Sequence, residues 1–225
     1  MPIMTNSNKT IISVVILIVL IAGGWYILSH RAATSGPAAT ANAPVATVNG
    51  ENIVQSDLTA AELQISQGVA ATTTDAQATL KSQALDSLIA KTLLKQAAEK
   101  AGITASSTQI DASLSSIKSQ FQTQDAYTQA LASQGVTEDQ LKAEISGNLV
   151  IQNYLDQTLG LSSVTASEAE IKAFYDQAAA GQTGVPALAT VHDQVKQAVI
   201  QQKQGNLIDA YVLKLRSTAD IKILN

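Results

Sequence analysis

The sequence predicts a mostly helical domain with a small β element that pairs its N- and C-terminal strands, preceded by one transmembrane helix. Three observations indicate this fold class. Apolar residues recur every three or four positions through most of residues 56–215, as in amphipathic helices. Short runs rich in β-branched residues stand at 45–54 and 219–224, near the two ends of that region. Residues 10–29 contain no charged side chain.

The uncharged run "TIISVVILIVLIAGGWYILS", residues 10–29, is long enough to cross a membrane, because twenty helical residues span about 30 Å. Trp25 and Tyr26 lie near its C-terminal end, where amphipathic rings favour the membrane interface. We expect a single-pass signal anchor behind a short cytoplasmic leader, residues 1–9, with the C-terminal domain outside the cytoplasm. A cleaved secretory signal is the alternative, because small residues follow the run, and the protein would then be secreted.

Residues 30–44 are rich in Ala, Thr, Ser, Gly and Pro without periodicity, which is typical of a flexible linker. We therefore expect a globular domain over residues 45–225. The segment "VATVNGENIV" opens it with two apolar runs around Asn49 and Gly50, a pair that favours a tight hairpin turn.

Capping residues and apolar spacing divide the region after the hairpin into helices. Ser56 is the expected N-cap of a first helix that ends near Ser66. Thr74 and Gln77 form a capping-box pattern for a longer helix that ends near Gly102. One face of this longer helix carries Leu80, Ala84, Leu88 and Ile89. The next apolar stripe, at steps of four, three and four, carries Ile110, Leu114, Ile117 and Phe121.

Further helices are predicted in the same way. Tyr127 and Leu131 lie in a short helix that Gly135 ends. Capping boxes then begin two helices, at Thr137 with Gln140 and at Ser167 with Glu170. The first of these two is expected to reach Leu159.

The stretch "GQTGVP", residues 181–186, interrupts a helical pattern, because two glycines and a proline end a helix. A long helix over 188–215 follows, with Gly205 as its weak point. The closing "ADIKIL" alternates Ile221 and Ile223 with polar residues, as in a half-buried strand. Because an isolated strand is not stable, we expect this one to pair with the N-terminal hairpin.

Composition excludes several kinds of chemistry. The absence of cysteine excludes disulfides, thiolate catalysis and cysteine-based zinc sites, and a net charge of −4 argues against nucleic-acid binding. His30 and His192 have no second ligand at metal spacing. Two acidic pairs complement the dipoles of first helical turns, namely Glu138 with Asp139 and Glu168 with Glu170. We therefore predict no catalytic residue, no cofactor and no metal, and a protein that is not an enzyme.

Several segments resemble the SurA type of extracytoplasmic chaperone, in order along the chain. "VATVNGENIVQSDL" resembles the opening of the SurA N-terminal domain, "SLIAKTLLKQAAEKAGI" its core helix and "VTEDQLKAEISGNLVIQNYL" the helix that follows. "VTASEAEIKAFYDQ" and "VHDQVKQAVIQQKQ" resemble the segments that flank a parvulin prolyl-isomerase domain in related proteins. The intervening residues, about 179–188, are too few to fold into such a domain. The resemblance therefore implies a SurA-like domain without the parvulin insertion.

The resemblance also bears on the anchor and on function. Lipid-anchored, PrsA-like members need a cysteine for the lipid, so a helical anchor as in PpiD-like members fits this chain better. The implied function is that of an ATP-independent holdase whose partners are unfolded or nascent extracytoplasmic polypeptides. An envelope scaffold that docks one fixed membrane protein is the alternative, and the oligomeric state stays open.

Apolar and aromatic residues on the helices are the candidate contacts with a client polypeptide. The predicted set is Phe121, Tyr127, Leu131 and Tyr154. Core packing is the alternative for each of them, because amphipathic stripes usually face the interior.

Overall fold

A β-hairpin opens the part of the chain that the computed structural model describes, residues 42–66 and 73–224. Strands β1 (Pro44–Val48) and β2 (Glu51–Val54) are joined by Asn49 and Gly50, whose φ angles are 52° and 87°. Both turn residues therefore have positive φ, as a tight hairpin turn requires. The hairpin predicted from the sequence is confirmed.

Helices occupy most of the described residues after the hairpin, and a third strand closes them. These elements are α1 (Gln55–Ile65), α2 (Thr74–Lys100), α3 (Ser107–Lys118), α4 (Gln124–Gln134), α5 (Glu138–Leu159), a 3-10 turn (Leu161–Ser163), α6 (Glu168–Ala179), α7 (Leu188–Arg216) and β3 (Ile221–Ile223).

The three strands form one antiparallel sheet in the order β2-β1-β3. The terminal strand therefore pairs with the N-terminal hairpin, as predicted. Val48 lies opposite Ile221, and Ala46 lies opposite Ile223. Asn49 adds two links to the start of β3: its backbone N–H donates to the carbonyl of Asp220 at 2.8 Å, and its side-chain Oδ1 accepts from the Asp220 N–H at 2.9 Å.

The first apolar cluster fills the space between the sheet, α1 and α2. Its buried members are Ala46, Val48, Ile53, Leu58, Ala84, Leu85, Ile89 and Leu93. Gln96 of α2 fixes the helix to the hairpin, because its Nε2 donates to the Val48 carbonyl at 3.0 Å and to Glu51 at 2.9 Å. Its Oε1 accepts from the Asn49 side chain at 2.8 Å. The turn is thus held from both α2 and β3.

Two more clusters pack the remaining helices of the described residues. The α3–α4–α5 cluster contains Leu114, Ile117, Tyr127, Val136, Leu141 and Ile145. The α2–α5–α7 cluster contains Leu94, Leu155 and Val212. Since α5 contributes to both and α2 to the first and third, these two long helices connect the packing of the whole domain.

The long helix α7 uses different faces along its length. Its first half packs against α6 and buries Val199, and its second half packs against α2 and α5 and buries Val212. The two valines are thirteen residues apart, which places them about 140° from each other around the helix. Gly205 lies between them inside the continuous helix. The change of face explains why α7 has no single apolar stripe.

Two predicted N-caps are wrong. Helix α1 begins directly after β2, so Val54 takes the N-cap position without a side-chain hydrogen bond, and Ser56 is buried in the first turn. Helix α2 is capped by Thr73, not Thr74, because the Thr73 hydroxyl accepts from the Ala76 N–H at 3.3 Å. Both capping boxes predicted further along the chain are confirmed, at the starts of α5 and α6.

The prediction that both isoleucines of β3 are buried is wrong for one of them. Ile221 packs against the first cluster, as predicted, but Ile223 is 64% exposed. The predicted membrane span, 10–29, its leader and most of the linker lie outside the described residues. Among the helices of residues 42–66 and 73–224, none combines the length and apolarity that crossing a bilayer requires.

Candidate functional site

Three of the four predicted contact residues lie together in the α3–α4–α5 cluster. Tyr127 is 2% exposed, and its ring meets Phe121 edge to face, with centroids 5.5 Å apart and an angle of 69° between the planes. Phe121 and Leu131 are half-buried at the margin of the cluster. Tyr127 is therefore an interior residue, whereas its two neighbours keep part of their surface accessible.

The hydroxyl of Tyr127 is hydrogen-bonded to a carboxylate that also pairs with two lysines. The hydroxyl donates to Glu138 Oε2 at 3.3 Å, and the same carboxylate pairs with Lys118 at 2.8 Å and Lys142 at 3.4 Å. Burial, followed by the charge of Glu138, raises the pKa of Tyr127 to about 12. The hydrogen bond from Lys118 is the main cause that lowers the pKa of Glu138. These contacts tie the end of α3 to the start of α5.

Tyr154 lies at a different place, between α5 and α7. It is 8% exposed, and its hydroxyl is hydrogen-bonded to the hydroxyl of Tyr211, whose ring centroid lies 6.2 Å away. This hydrogen bond, together with burial, raises the pKa of Tyr211 to about 12. The four predicted residues therefore do not form one site. Core packing describes Tyr127 and Tyr154, and client binding by the set stays a prediction.

The sequence did not predict the large apolar side chains that are exposed in the described residues. They are Leu63, Ile65, Leu207, Leu213, Ile223 and Leu224. Leu213 is the most exposed, at 67%, because it lies off the stripe of Ile208, Tyr211 and Leu215 that packs into the α2–α5–α7 cluster. The position of a large apolar residue outside a helical stripe could have predicted this exposure. The exposure of Ile223 had no such signal, because its alternation predicted burial.

The predicted insertion point is a short connection between α6 and α7, residues 180–187. Gly181 and Gly184 both have positive φ, at 73° and 78°. Across the connection, the Tyr175 hydroxyl donates to the carbonyl of Pro186 at 2.7 Å. The two glycines and this hydrogen bond allow α7 to start close to the end of α6, so that the two helices pack against each other.

Charged residues join α6 to α7. His192 Nε2 lies 2.8 Å from Glu168 Oε2, and Lys203 donates to Glu170 Oε1 at 2.7 Å. The hydrogen bond with Glu168, followed by that with Asp193, raises the pKa of His192. The Lys203 ammonium is the main cause that lowers the pKa of Glu170 to about 2. His192 and both carboxylates thus act as partners in surface ion pairs.

Within residues 42–66 and 73–224, no group of three or more His, Cys, Asp or Glu side chains could hold a metal ion. The carboxylate of Glu138 is shared by two lysines, and His30 lies outside the described residues.

Comparison with known proteins identifies the family. The SurA-like N-terminal domain family matches residues 1–155, more than half of the 225 residues. The chain therefore belongs to this family, which confirms the resemblance seen in the sequence over these residues. The matched range includes β1, β2, α1 to α4 and most of α5, and it ends before α6, α7 and β3. No curated protein sequence matches the chain.

Proposed function

We propose that this SurA-like chain is an ATP-independent chaperone that binds unfolded or partly folded polypeptides outside the cytoplasm. The observation that carries the proposal is the family match over residues 1–155. The resemblance to extracytoplasmic holdases supports the kind of partner, and the apolar run at 10–29 supports the proposed location, because it is long enough to serve as a membrane anchor.

The surface of the described residues supports weak, sequence-tolerant binding. The exposed large apolar side chains of the described residues lie on α1, α7 and β3 and directly after β3. Phe121 and Leu131 add partly accessible apolar surface at the margin of the α3–α4–α5 cluster. Dispersed apolar contacts suit clients whose side chains vary, because such contacts impose little geometry on the partner.

We further propose that this domain works without a catalytic step. The eight residues that connect α6 to α7 are too few to fold into a parvulin domain. The proposed mechanism is therefore holding: apolar side chains shield a client's hydrophobic segments until the client folds or is transferred.

The test is binding of the full chain, reconstituted in lipid nanodiscs, to reduced and carboxymethylated α-lactalbumin, which stays unfolded. We expect saturable, ATP-independent binding and slower aggregation of a second, heat-denatured client, with no binding to native α-lactalbumin. Absence of binding to either unfolded protein would contradict the proposal. Crosslinking in cells that captures one stoichiometric membrane partner, in place of many clients, would support the scaffold alternative.

Two further measurements test the non-catalytic and anchored parts of the proposal. Prolyl-isomerase activity on a proline tetrapeptide should stay at background, and an enhancement that survives repurification would contradict the absence of a parvulin domain.

The full chain should remain in the membrane fraction after carbonate washing. Recovery of a soluble form that begins between residues 32 and 45 would instead indicate a cleaved signal.

A further inference from the structure

Strand β3 is an edge of the sheet, and its backbone groups alternate in direction. The Asn49 N–H donates to the Asp220 carbonyl, and the Leu224 N–H donates to the Val45 carbonyl, both at 2.8 Å. In an antiparallel pair, alternate residues direct both backbone groups to the same neighbour. Residues 220, 222 and 224 therefore face β1, and the N–H and C=O groups of Ile221 and Ile223 point to the outer edge. Within the described residues, β3 has no second strand beside it.

The inner face of the sheet ends in an uncovered apolar side chain at this edge. Ile53, Ala46 and Ile223 form one row across the three strands, because Ala46 lies opposite both isoleucines. Ala46 is fully buried and Ile53 is 3% exposed, but Ile223 is 64% exposed. The neighbouring row ends in Ile221, which packs against the first cluster. The apolar row is thus covered at β2 and β1 and open at β3.

We propose that the outer edge of β3 binds an extended segment of an unfolded polypeptide, which joins the sheet as a fourth strand. The backbone groups of Ile221 and Ile223 would bond the client's main chain whatever its sequence. An apolar client side chain would lie beside Ile223 and extend the inner row by one residue. This inference rests on the proposed chaperone function and names one site for it.

A second copy of this chain fits the edge less well than a client segment. A two-fold pairing that uses both Ile221 and Ile223 places Lys222 directly opposite the same lysine of the other copy. Side chains at such a non-hydrogen-bonded pair approach most closely, and like charges there are destabilising. The Lys222 side chain is 65% exposed. A client segment with an acidic or polar residue at that position, between apolar neighbours, complements both faces of β3.

The substitution Ile223→Pro tests the site, because it removes an outward N–H and leaves the hydrogen bonds between β1 and β3 intact. Proline is tolerated on edge strands when its nitrogen faces away from the ladder. Ile223→Thr is the matched control, since it keeps the N–H and strand preference while shortening the apolar side chain. The probe is carboxymethylated α-lactalbumin with the full chain in nanodiscs. We expect Ile223→Pro to weaken binding at least fivefold and Ile223→Thr to weaken it less.

Hydrogen exchange supplies a second readout for the same complex. Bound client should slow exchange in the segment 219–225 at the two outward amides of the wild type, and Ile223→Pro should abolish the change. Equal binding by wild type and Ile223→Pro, or unchanged exchange in this segment on binding, would overturn the site and leave the proposed function standing. Failure of the wild type to bind would overturn both. Dimerisation of the free chain that Ile223→Pro abolishes would assign the edge to a second copy instead, and so overturn the inference.

Discussion

Ile221 and Ile223 lie two positions apart on the same face of β3 and differ in what covers them. Ile221 packs against the first cluster, and Ile223 is largely exposed. The alternation of "DIKIL" predicts which face each side chain occupies, but it carries no information on how far the helices extend over that face. For a single residue, the sequence predicts the face of the strand on which the side chain lies. Whether that side chain is buried depends on the tertiary packing.

The same substitution at these two positions should therefore have different costs. Ile221→Asp places a carboxylate against the apolar cluster and should lower the free energy of unfolding by about 1–3 kcal/mol. Ile223→Asp leaves the carboxylate in water and should cost within about 0.5 kcal/mol. Urea denaturation midpoints measure both. Equal midpoints for the two variants would contradict the difference in burial.

Capping residues give a second case at the residue scale. The boxes at Thr137 and Ser167 could be predicted because the hydroxyl, the backbone N–H and the third residue all lie within one turn. The start of α1 could not, because β2 leads straight into the helix and Val54 takes the cap position without a capping side chain. A capping motif therefore predicts the start of a helix where contacts within the first turn determine the conformation there.

At the scale of an element, helix α7 shows which features could be predicted from the sequence and which could not. Its position could be predicted from spacing and from the glycine–proline break before it. Its two different packing faces could not be predicted, because they depend on α6 at one end and on α2 and α5 at the other. The predicted client contacts could not be assigned for the same reason, because the spacing of residues along one helix does not show what packs against them. Tyr127 and Tyr154 are apolar-stripe residues, and the stripe alone does not distinguish an interior contact from a binding surface.

Gly205 gives a test of the continuity of α7. Its backbone is helical, and a Cβ added there would meet no atom within 4 Å. Gly205→Ala should therefore raise the free energy of unfolding by about 0.5–1 kcal/mol, since alanine restricts the unfolded chain and favours helix. Gly102→Ala is the matched control. Its site is equally open, but its φ of +69° should make alanine cost about 1–2 kcal/mol. Thermal or urea denaturation distinguishes the two signs.

The contact between α6 and α7 should depend on pH through His192. Glu168 and Asp193 raise the pKa of His192 above its ordinary value of 6.5, so the folded protein holds the proton more tightly than the unfolded chain does. The resulting stabilisation is fully present below pH 6.5 and is lost as the pH rises through the raised pKa. Urea midpoints for wild type and His192→Gln should differ most at pH 5.5 and converge by pH 8.5. A gap that stays constant over this range would show that the pair contributes nothing pH-dependent.

At the scale of the whole molecule, the two ends of the described chain meet in the sheet. This closure could be predicted, because a lone terminal strand needs a partner and the hairpin was the one available. The division of the interior into three clusters joined by α2, α5 and α7 could not be predicted, because the spacing of apolar residues along a helix does not say which other helix they contact.

Deleting residues 219–225 tests whether this closure supports the domain. The deletion removes the packing of Ala219 and Ile221 on the first cluster and the hydrogen bonds that Asp220 makes with Asn49. It also leaves β1 as an unpaired edge, which invites pairing between chains. From the apolar area and hydrogen bonds lost, we expect the free energy of unfolding to fall by at least about 2 kcal/mol.

The truncated chain should accordingly unfold at lower urea and aggregate faster on mild heating, and the amides of β1 should exchange faster with solvent. Lys222→Thr in the full chain is the control, because this exposed side chain contacts Asp220 on the outer face and should change stability within about 0.5 kcal/mol. The loss should reach beyond the sheet, since only residues 217–220 separate α7 from β3, and α7 packs against α2 and α5. If the truncation and the wild type share one midpoint, the pairing of the two ends is dispensable, and the helices alone hold the domain together.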